Sequence, residues 1–264
     1  MNDYDRRKIH HGRPPMSAGD WITALQRIEA SEDLPITLQG GEPTVHPYFY
    51  DIVQGIEKPM DLLTNVQFDI EKFIRLVPTH KFRRAAPYAS IRVSYHPEQM
   101  QLADTVSRVK SLLDAGYQVG VWSVLVPEWE THIKEVAQPE FLRAGIDFRL
   151  KEMMDGGNRD GTQCGTYKYP DSVGAKILRS CLCRTTELLV APDGSVHRCH
   201  SDLYNLRRGI GHILDKDFKL DREFRECAVY GDCSGCDVKI TTNRHSIPGW
   251  TSVEIKDINP PVLV

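Results

Sequence analysis

The sequence predicts an α/β protein made of consecutive parallel strand–helix units, followed by a small cysteine-rich module. Two observations predict this fold. Short β-branched and apolar runs alternate with helical patterns over the first 150 residues, and short loops connect them, as is typical of parallel βα units. All seven cysteines lie after residue 163, and six of them fall between positions 181 and 236.

The elements follow one another in regular order. Ser17 is expected to cap a helix that runs to about Ala30, with Asp20 at the capping-box position. The next predicted elements, in alternation, are strand Ile36–Gln39, helix Tyr48–Ile56, strand Met60–Thr64, helix Asp69–Val77, strand Ser90–Tyr95, a helix marked by Leu102, Val106, Val109 and Leu113, strand Tyr117–Val126, helical segments Glu128–Val136 and Pro139–Ala144, and strand Ile146–Leu150.

A glycine turn follows the first predicted strand. Gly40 and Gly41 lack a Cβ atom, so backbone carbonyls can approach a ligand closely at this turn. Glu42 adds an acceptor-only carboxylate that suits an ammonium group. The turn lies at the carboxyl end of a parallel strand, where α/β proteins place ligands. An ordinary β-turn with a solvated glutamate is the alternative that these residues leave open.

Composition excludes some classes of function. The chain has 264 residues, of which 41% are hydrophobic and 26% charged, and its net charge is −3. This size fits one large domain, or a domain with a smaller one. A near-neutral balance gives no electrostatic basis for binding nucleic acid or a membrane surface. We find neither a signal peptide nor a membrane span, and we expect a cytoplasmic protein.

The clustered cysteines predict a metal site, because disulfide frameworks belong to small secreted chains. A turn at Pro192-Asp193-Gly194 joins the predicted strand Thr185–Ala191 to a second β-like run, and this hairpin returns Cys199 to Cys181 or Cys183. Downstream, a CxxC motif supplies Cys233 and Cys236. Zinc and iron–sulfur clusters both accept four thiolates, so spacing alone leaves both open.

The segment Gly-Gly-Glu-Pro-Thr-x-x-Pro after a strand resembles the motif with which radical S-adenosylmethionine (SAM) enzymes hold the methionine amino group of SAM. The resemblance implies a partial (β/α)6 barrel whose first strand is missing. It assigns SAM binding to Gly40, Gly41, Glu42 and Pro43. Ser94 stands where the family has a polar residue that contacts SAM, and Asn65 is a further candidate. His96 and Lys151 also lie at strand ends, where barrel chemistry collects, and a solvated or supporting role is the alternative for each.

The cysteine-rich module resembles the twitch and SPASM extensions of the same enzymes, which carry auxiliary 4Fe–4S clusters. The resemblance implies the ligands Cys181, Cys199, Cys233 and Cys236, with Cys183 and Cys227 as alternatives, and leaves Cys164 without a role. The implied organisation is a core at 1–152, a glycine-rich connector at 153–180, the cluster module at 181–240 and a tail at 241–264.

The implied function is reductive cleavage of SAM to a 5′-deoxyadenosyl radical that abstracts hydrogen from a peptide or small-molecule substrate, with ferredoxin or flavodoxin as reductant. No residue is assigned to catalysis. The family's CxxxCxxC segment for a second 4Fe–4S cluster is absent, since no cysteine precedes Cys164. We therefore expect that Met1 is not the natural start and that the chain as given is inactive. A degenerate iron–sulfur electron carrier or binding protein and a zinc-stabilised binding protein are the alternatives.

Overall fold

The computed structural model describes residues 15–32, 34–85, 88–153, 168–185, 187–207, 209–219, 223–233 and 253–260. The chain divides into two compact units. One spans Ser17–Glu152, and the other contains Met16 and the described residues from Met153 onwards. Within the described ranges, no helix is both long enough and apolar enough to cross a membrane.

The first unit is a five-stranded parallel sheet with strand order β1-β2-β3-β4-β5. This confirms the predicted alternation of strands and helices. The strands are β1 Ile36–Leu38, β2 Met60–Thr64, β3 Ile91–Ser94, β4 Val119–Leu125 and β5 Asp147–Glu152, and the helices are α1 Ala18–Gln26, α2 Phe49–Gly55, α3 Ile70–Leu76, α4 Leu102–Asp114, α5 Glu130–His132 and α6 Gln138–Arg143.

One face of this sheet carries the hydrophobic core. Parallel strands paired in sequence order, with every crossover of the same hand, place their helices on a single face. Alternate strand residues point to that face and pack against apolar residues from the helices. The buried cluster includes Met60, Leu62, Ile91, Val93, Val119, Val121 and Phe148 from the strands, and Phe49, Val53, Phe73, Val109, Leu112 and Phe141 from the helices.

Helix starts follow the predicted capping chemistry. The Ser17 hydroxyl accepts from the Asp20 backbone N–H at 3.2 Å and donates to its carboxylate at 2.8 Å. Asp69 caps α3 by accepting from the Lys72 backbone N–H at 2.8 Å. Helix α1 ends at Gln26, before the predicted Ala30, because the next two backbone N–H groups bond three residues back and tighten the last turn.

The two helical segments predicted after β4 form one continuous run. A 3₁₀ turn at Pro127–Trp129 leads into α5, a π-helical stretch at Ile133–Ala137 and then α6. Proline lacks a backbone N–H, so Pro139 cannot donate to the carbonyl four residues earlier. The helix accommodates this with a local π segment and does not break.

The second unit holds two three-stranded sheets with strand orders β10-β6-β11 and β7-β8-β9. Its elements are β6 Arg179–Thr185, β7 Leu189–Val190, β8 Ser195–His197, α7 His200–Tyr204, β9 Gly211–His212, β10 Arg225–Tyr230 and β11 Val253–Lys256. The predicted hairpin around Pro192-Asp193-Gly194 is confirmed, since β7 and β8 pair antiparallel. Gly194 adopts a φ of 84°, and the Asp193 side chain accepts from the Ser195 backbone N–H at 3.0 Å.

The strand predicted at Thr185–Ala191 is wrong in its bounds. Those residues contain the end of β6 and the short β7, so Cys181 and Cys183 lie within a strand and not before one. Their strand is central, with β10 on one side and β11 on the other. Residues 253–256, assigned from the sequence to a tail, form β11. A central strand takes its conformation from these distant partners, which local sequence does not reveal.

Candidate functional site

The carboxyl ends of β1 to β5 meet at one edge of the sheet, because all five strands run parallel. The Gly40-Gly41 turn lies at this edge, directly after β1. Gly40 has a φ of 144°, a conformation that favours glycine, and no heavy atom lies within 4 Å of where a Cβ would stand. The turn therefore depends on glycine for its backbone shape and leaves open space above it.

The Glu42 carboxylate ties this turn to the end of β2. Its Oε1 accepts from the Thr44 backbone N–H at 3.2 Å and from the Thr44 hydroxyl at 2.7 Å. The Thr64 hydroxyl lies 2.9 Å from Oε1 and 3.0 Å from Oε2. The Asn65 backbone N–H donates to Oε2 at 2.7 Å. Four donor groups from the protein thus surround one carboxylate.

A carboxylate offers about four lone-pair sites, so these donors fill the capacity of Glu42. The predicted role of Glu42 as an ammonium acceptor stays a prediction. Its observed contacts fix the position of the turn, and Pro43 begins the 3₁₀ turn Pro43–Val45 that Glu42 caps. The backbone carbonyls of Gly40 and Gly41 remain the predicted acceptors at this turn. Sequence reasoning missed Thr44 and Thr64, although Thr64 ends a predicted strand.

Asn65 and Ser94 lie at the same edge, as predicted from their positions after β2 and at the end of β3. The Asn65 side-chain oxygen accepts from the Gln67 backbone N–H at 2.9 Å, which closes a local turn. Val66, between Asn65 and Gln67, is fully buried and has a positive φ of 57°. Ser94 is half-buried and stands beside Trp122 in the strand register. Four predicted site residues thus lie along the carboxyl edge of the sheet: Gly40, Glu42, Asn65 and Ser94.

The sheet face opposite the helices carries charged side chains that sequence reasoning largely missed. We call this set the charged face: Asp61 on β2, Arg92 on β3, and Asp147, Arg149 and Lys151 on β5, together with the uncharged Trp122 on β4 between them. Register and strand alternation place all six on one side. The sequence contained one signal of this face: polar and apolar residues alternate along these strands. Strands of a parallel sheet that is covered on both faces are instead continuous apolar runs.

Asp61 is the buried centre of this face. Its carboxylate is fully buried, forms an ion pair with Arg84 and lies 2.8 Å from a terminal nitrogen of Arg92. Burial raises the pKa of the Asp61 carboxyl above its usual range, although the Arg92 and Arg84 guanidiniums lower it. Among the residues that the structure describes, one carboxylate oxygen of Asp61 and the Nε atoms of Arg84 and Arg92 are buried without a hydrogen-bond partner.

In the second unit, three thiols share one face of a sheet. Cys181 and Cys183 are two residues apart on β6, and Cys227 on β10 pairs directly opposite Cys181. Cys199 caps α7, its sulfur accepting from the Asp202 backbone N–H at 3.4 Å. The Cys233 backbone N–H donates to the carbonyl of Ser172 at 3.0 Å.

All five of these thiols line one cavity of about 20 Å³. Its other walls include the guanidiniums of Arg198 and Arg207 and the apolar side chains of β11. No disulfide involves the five cysteines. The cavity therefore collects soft sulfur donors beside two guanidiniums that both pair with Asp202 in the same wall.

The thiols differ in acidity. A hydrogen bond with Cys227, followed by burial, raises the pKa of Cys181, and the same bond lowers the pKa of Cys227 to about 6. Burial raises the pKa of Cys183 to about 12, with repulsion from Cys227 and Cys199 adding to it. One thiolate beside neutral thiols is the arrangement that minimises like-charge repulsion in a confined site.

The cavity contains most of the predicted cluster ligands. Cys181, Cys199 and Cys233 lie in its wall, and so do the alternatives Cys183 and Cys227. Cys236 and Cys164 lie outside the described residues. In the described ranges, no three His, Cys, Asp or Glu side chains are arranged to hold a metal ion. The donor type nevertheless fits an iron–sulfur cluster or zinc, since both are bound by cysteine thiolates.

No family model matches the sequence, and no curated protein matches it. The structure is similar to that of anSMEcpe, an anaerobic sulfatase-maturating radical SAM enzyme.

Two structures of anSMEcpe give the measure of this likeness. The form with bound AdoMet and Kp18Cys peptide has a TM-score of 0.51 and 13% sequence identity, over 76% of this chain and 70% of that chain. The form with bound AdoMet has a TM-score of 0.51 and 14% identity, over 76% and 69%. The protein therefore has an α/β fold similar to that of a radical SAM enzyme.

Proposed function

We propose that the protein is a radical SAM-type enzyme that binds SAM at the carboxyl edge of its sheet. The observation that carries this proposal is the turn after β1, which has open space at the Cβ position of Gly40 and is held to β2 through Glu42. The fold similarity to anSMEcpe with bound AdoMet supports it. The curvature of the sheet into a partial barrel is part of the same proposal.

In this proposal the backbone carbonyls of Gly40 and Gly41 accept from the ammonium of SAM. Glu42 acts as a positioning residue, because protein donors already fill its carboxylate. Ser94, at the end of β3, offers a hydroxyl to the ribose or carboxylate of SAM. Asn65 contributes its backbone to the Glu42 contacts, and its side chain keeps the following turn closed.

The cysteine cavity is proposed to hold an auxiliary 4Fe–4S cluster through Cys181, Cys199, Cys233 and Cys236, with Cys183 and Cys227 as alternative ligands. Thiolates suit such clusters. Arg198 and Arg207 also line the cavity, and both pair with Asp202, so their positive charge is shared between that carboxylate and the thiolates.

Reductive cleavage of SAM requires a further 4Fe–4S cluster held by a CxxxCxxC segment, and no cysteine precedes Cys164 in this chain. The auxiliary cluster would accept an electron from a substrate radical or bind the substrate. The proposed substrate is a peptide or small molecule, and the proposed reductant is ferredoxin or flavodoxin.

Isothermal titration with SAM tests the proposed pocket. Gly40→Ala places a methyl group in the open space of the turn and should weaken SAM binding by at least about tenfold, a loss of about 1.4 kcal/mol. Gly41→Val should weaken binding by a similar amount, because it puts a branched side chain beside the proposed carbonyl acceptors.

Gly145→Ala is the matched control. Gly145 also has a positive φ, 75°, and open space at its Cβ position, but it lies just before β5 at the opposite edge of the sheet. Both alanine variants carry backbone strain, so both should lower thermal stability. SAM affinity that falls equally in the two variants, or in neither, would contradict the proposed pocket.

Metal analysis tests the cysteine cavity and separates the alternatives. Anaerobic purification should give a brown protein with about four irons per chain from this module. Cys181→Ser and Cys233→Ser should lower the iron content, whereas Cys164→Ser should leave it unchanged. Stoichiometric zinc in a colourless protein would instead support a zinc-stabilised binding protein. Iron without SAM binding would support an iron–sulfur protein that has no SAM chemistry.

A further inference from the structure

We propose that the charged face binds an oxyanion of the substrate, a carboxylate or a phosphate, through Arg92, Arg149 and Lys151. The inference rests on the proposed function, because it names the substrate chemistry of the same sheet. The three cations come from β3 and β5, with Trp122 of β4 between them. None of them was needed for the SAM pocket described above.

The strand register brings the three cations together. Arg92 pairs with Gly120, Trp122 pairs with Arg149, and Lys151 follows two residues after Arg149. Side chains two residues apart on a strand are about 6.6 Å apart, and neighbouring strands about 4.8 Å, so all three fall within the reach of long side chains. Burial, with Arg92 and Arg149 close by, lowers the pKa of Lys151 to about 8.

Positive charge exceeds negative charge among the described side chains of this region. Two carboxylates, Asp61 and Asp147, pair with Arg84, Arg92 and Arg149. Lys151 adds a fourth cation to this group of six side chains. Like charges at short range destabilise one another, and a bound oxyanion would remove that repulsion.

A buried donor of the same cluster lacks a partner within the described residues. Nε of Arg92 has no hydrogen-bond partner there, and an oxyanion could accept from its N–H. Such atoms are rare in folded proteins and each calls for a water, an ion or a ligand group. The side chains of Arg92 and Arg149 are 23% and 17% exposed, so a small group can still reach them from solvent.

Trp122 provides a flat apolar surface beside the cations. A Cβ on Gly120 would stand 2.9 Å from the Trp122 ring, so glycine at this position lets the indole lie across the strand. The Arg149 guanidinium lies 5.4 Å from the ring centroid. An aromatic surface next to a guanidinium suits a substrate that carries its oxyanion on an apolar or planar body.

The strand order places the β5 cations and the Gly40 turn far apart along the sheet. The amino and carboxylate groups of methionine share one carbon atom, so both must lie near the Gly40 turn after β1 if the turn holds the ammonium. Four strand spacings, roughly 19 Å along the sheet, separate β1 from β5. Arg149 and Lys151 lie on β5, the strand farthest along the sheet from the Gly40 turn, and competition with SAM tests whether they serve the substrate.

Anion titration of the full chain tests this inference without requiring catalysis. Citrate and inorganic phosphate are the probes, measured by isothermal titration at low ionic strength, with trimethyl citrate as the uncharged comparison. Arg149→Gln and Lys151→Met should each weaken binding of the preferred anion by about tenfold or more, since each removes a charge-assisted hydrogen bond. Lys151→Arg keeps the positive charge and should therefore bind the anion with most of the wild-type affinity, unlike Lys151→Met.

Arg143→Gln is the matched control, because Arg143 is 70% exposed and pairs with Glu140 on the same helix. The preference between citrate and phosphate identifies the oxyanion. Equal binding by wild type and the β5 variants would overturn the inference. Competition between SAM and the anion would overturn it too, because the cations would then serve SAM. If SAM fails to bind but the anion binds and depends on Lys151, the proposed function fails and the anion site stands.

Discussion

The two faces of the parallel sheet are built from neighbouring residues of the same strands but differ in their effect on stability. Leu62 on β2 points to the helices and is fully buried in the core, whereas Asp61 and Leu63 on either side of it point to the charged face. The helical face gains stability from packed apolar area. The charged face gathers buried charge, which costs stability unless it is paired, and it lies next to the proposed SAM edge.

The largest effect is expected where the charged face depends on a single carboxylate. Asp61→Asn leaves Arg84 and Arg92 without their buried anion and should lower the free energy of unfolding by about 3–5 kcal/mol. Urea unfolding followed by tryptophan fluorescence measures this, since three of the four tryptophans belong to Ser17–Glu152.

Asp147→Asn is the matched control for that change. Asp147 lies on the same face, but its side chain is 47% exposed and pairs with Arg149 at 2.7 Å. Its loss should cost less than about 1 kcal/mol, as for exposed pairs. Equal losses of unfolding free energy in the two variants would show that burial does not determine how much these ion pairs stabilise the fold.

The next effect compares two adjacent leucines. Leu62→Ala opens a cavity in the helical face and should cost about 2–5 kcal/mol, as is usual for buried leucines. Leu63→Ala on the other face should cost clearly less, because Leu63 is only half-buried. Urea unfolding of both variants side by side gives the difference, and a larger loss for Leu63 would reverse the assignment of faces.

A smaller loss is expected at the edge. Glu42→Gln replaces an oxygen acceptor by an amide that must face a donor, so one contact with Thr44, Thr64 or Asn65 becomes repulsive. The expected cost is about 1–3 kcal/mol in urea unfolding. Glu57→Gln, at a carboxylate that is 78% exposed, serves as the control and should change little. If the two variants are equally stable, Glu42 has no structural role at this edge.

Much of this arrangement was predictable from sequence, for physical reasons. Short apolar strands alternating with 3.6-residue periodicity fixed the number and direction of the strands, and parallel direction alone brings Gly40, Asn65 and Ser94 to one edge. The proline–glycine turn at Pro192–Gly194 likewise determines its own hairpin. Local chemistry decides these features, so local sequence reveals them.

The remaining features depend on contacts between distant residues. Whether Glu42 is available to a ligand depends on Thr64, which comes from another strand. The pairing of Cys227 with Cys181 depends on the register of β10 against β6. Only the alternation of polar and apolar residues around Arg92 and Arg149 indicated the charged face in the sequence. A parallel strand covered on both faces would lack this alternation.

The smallest expected effect has the opposite sign. Lys151 has its pKa lowered from 10.5 to about 8, first by burial and then by Arg92 and Arg149, with the carboxylate of Asp147 on the same strand. The unfolded chain binds this proton more tightly, so Lys151 destabilises the fold below pH 8 and this cost disappears as the pH rises towards 10.5.

Lys151→Met should therefore raise the melting temperature at pH 7, by about 2–4 °C. The same variant should flatten the rise in stability between pH 8 and 10.5 that Lys151 contributes in the wild type. Thermal unfolding at pH 7, 8.5 and 10 measures both. A variant that is less stable than the wild type at pH 7 would contradict this account of the charged face.

Hydrogen exchange with and without SAM tests most directly the claim that the carboxyl edge of the sheet is the SAM site. SAM should slow exchange at the backbone amides of residues 40–45 and 64–67, which belong to the Gly40 turn and the Glu42 contacts. Amides around Gly145, at the opposite edge, should exchange at unchanged rates. Protection confined to other segments, or none at saturating SAM, would contradict the account.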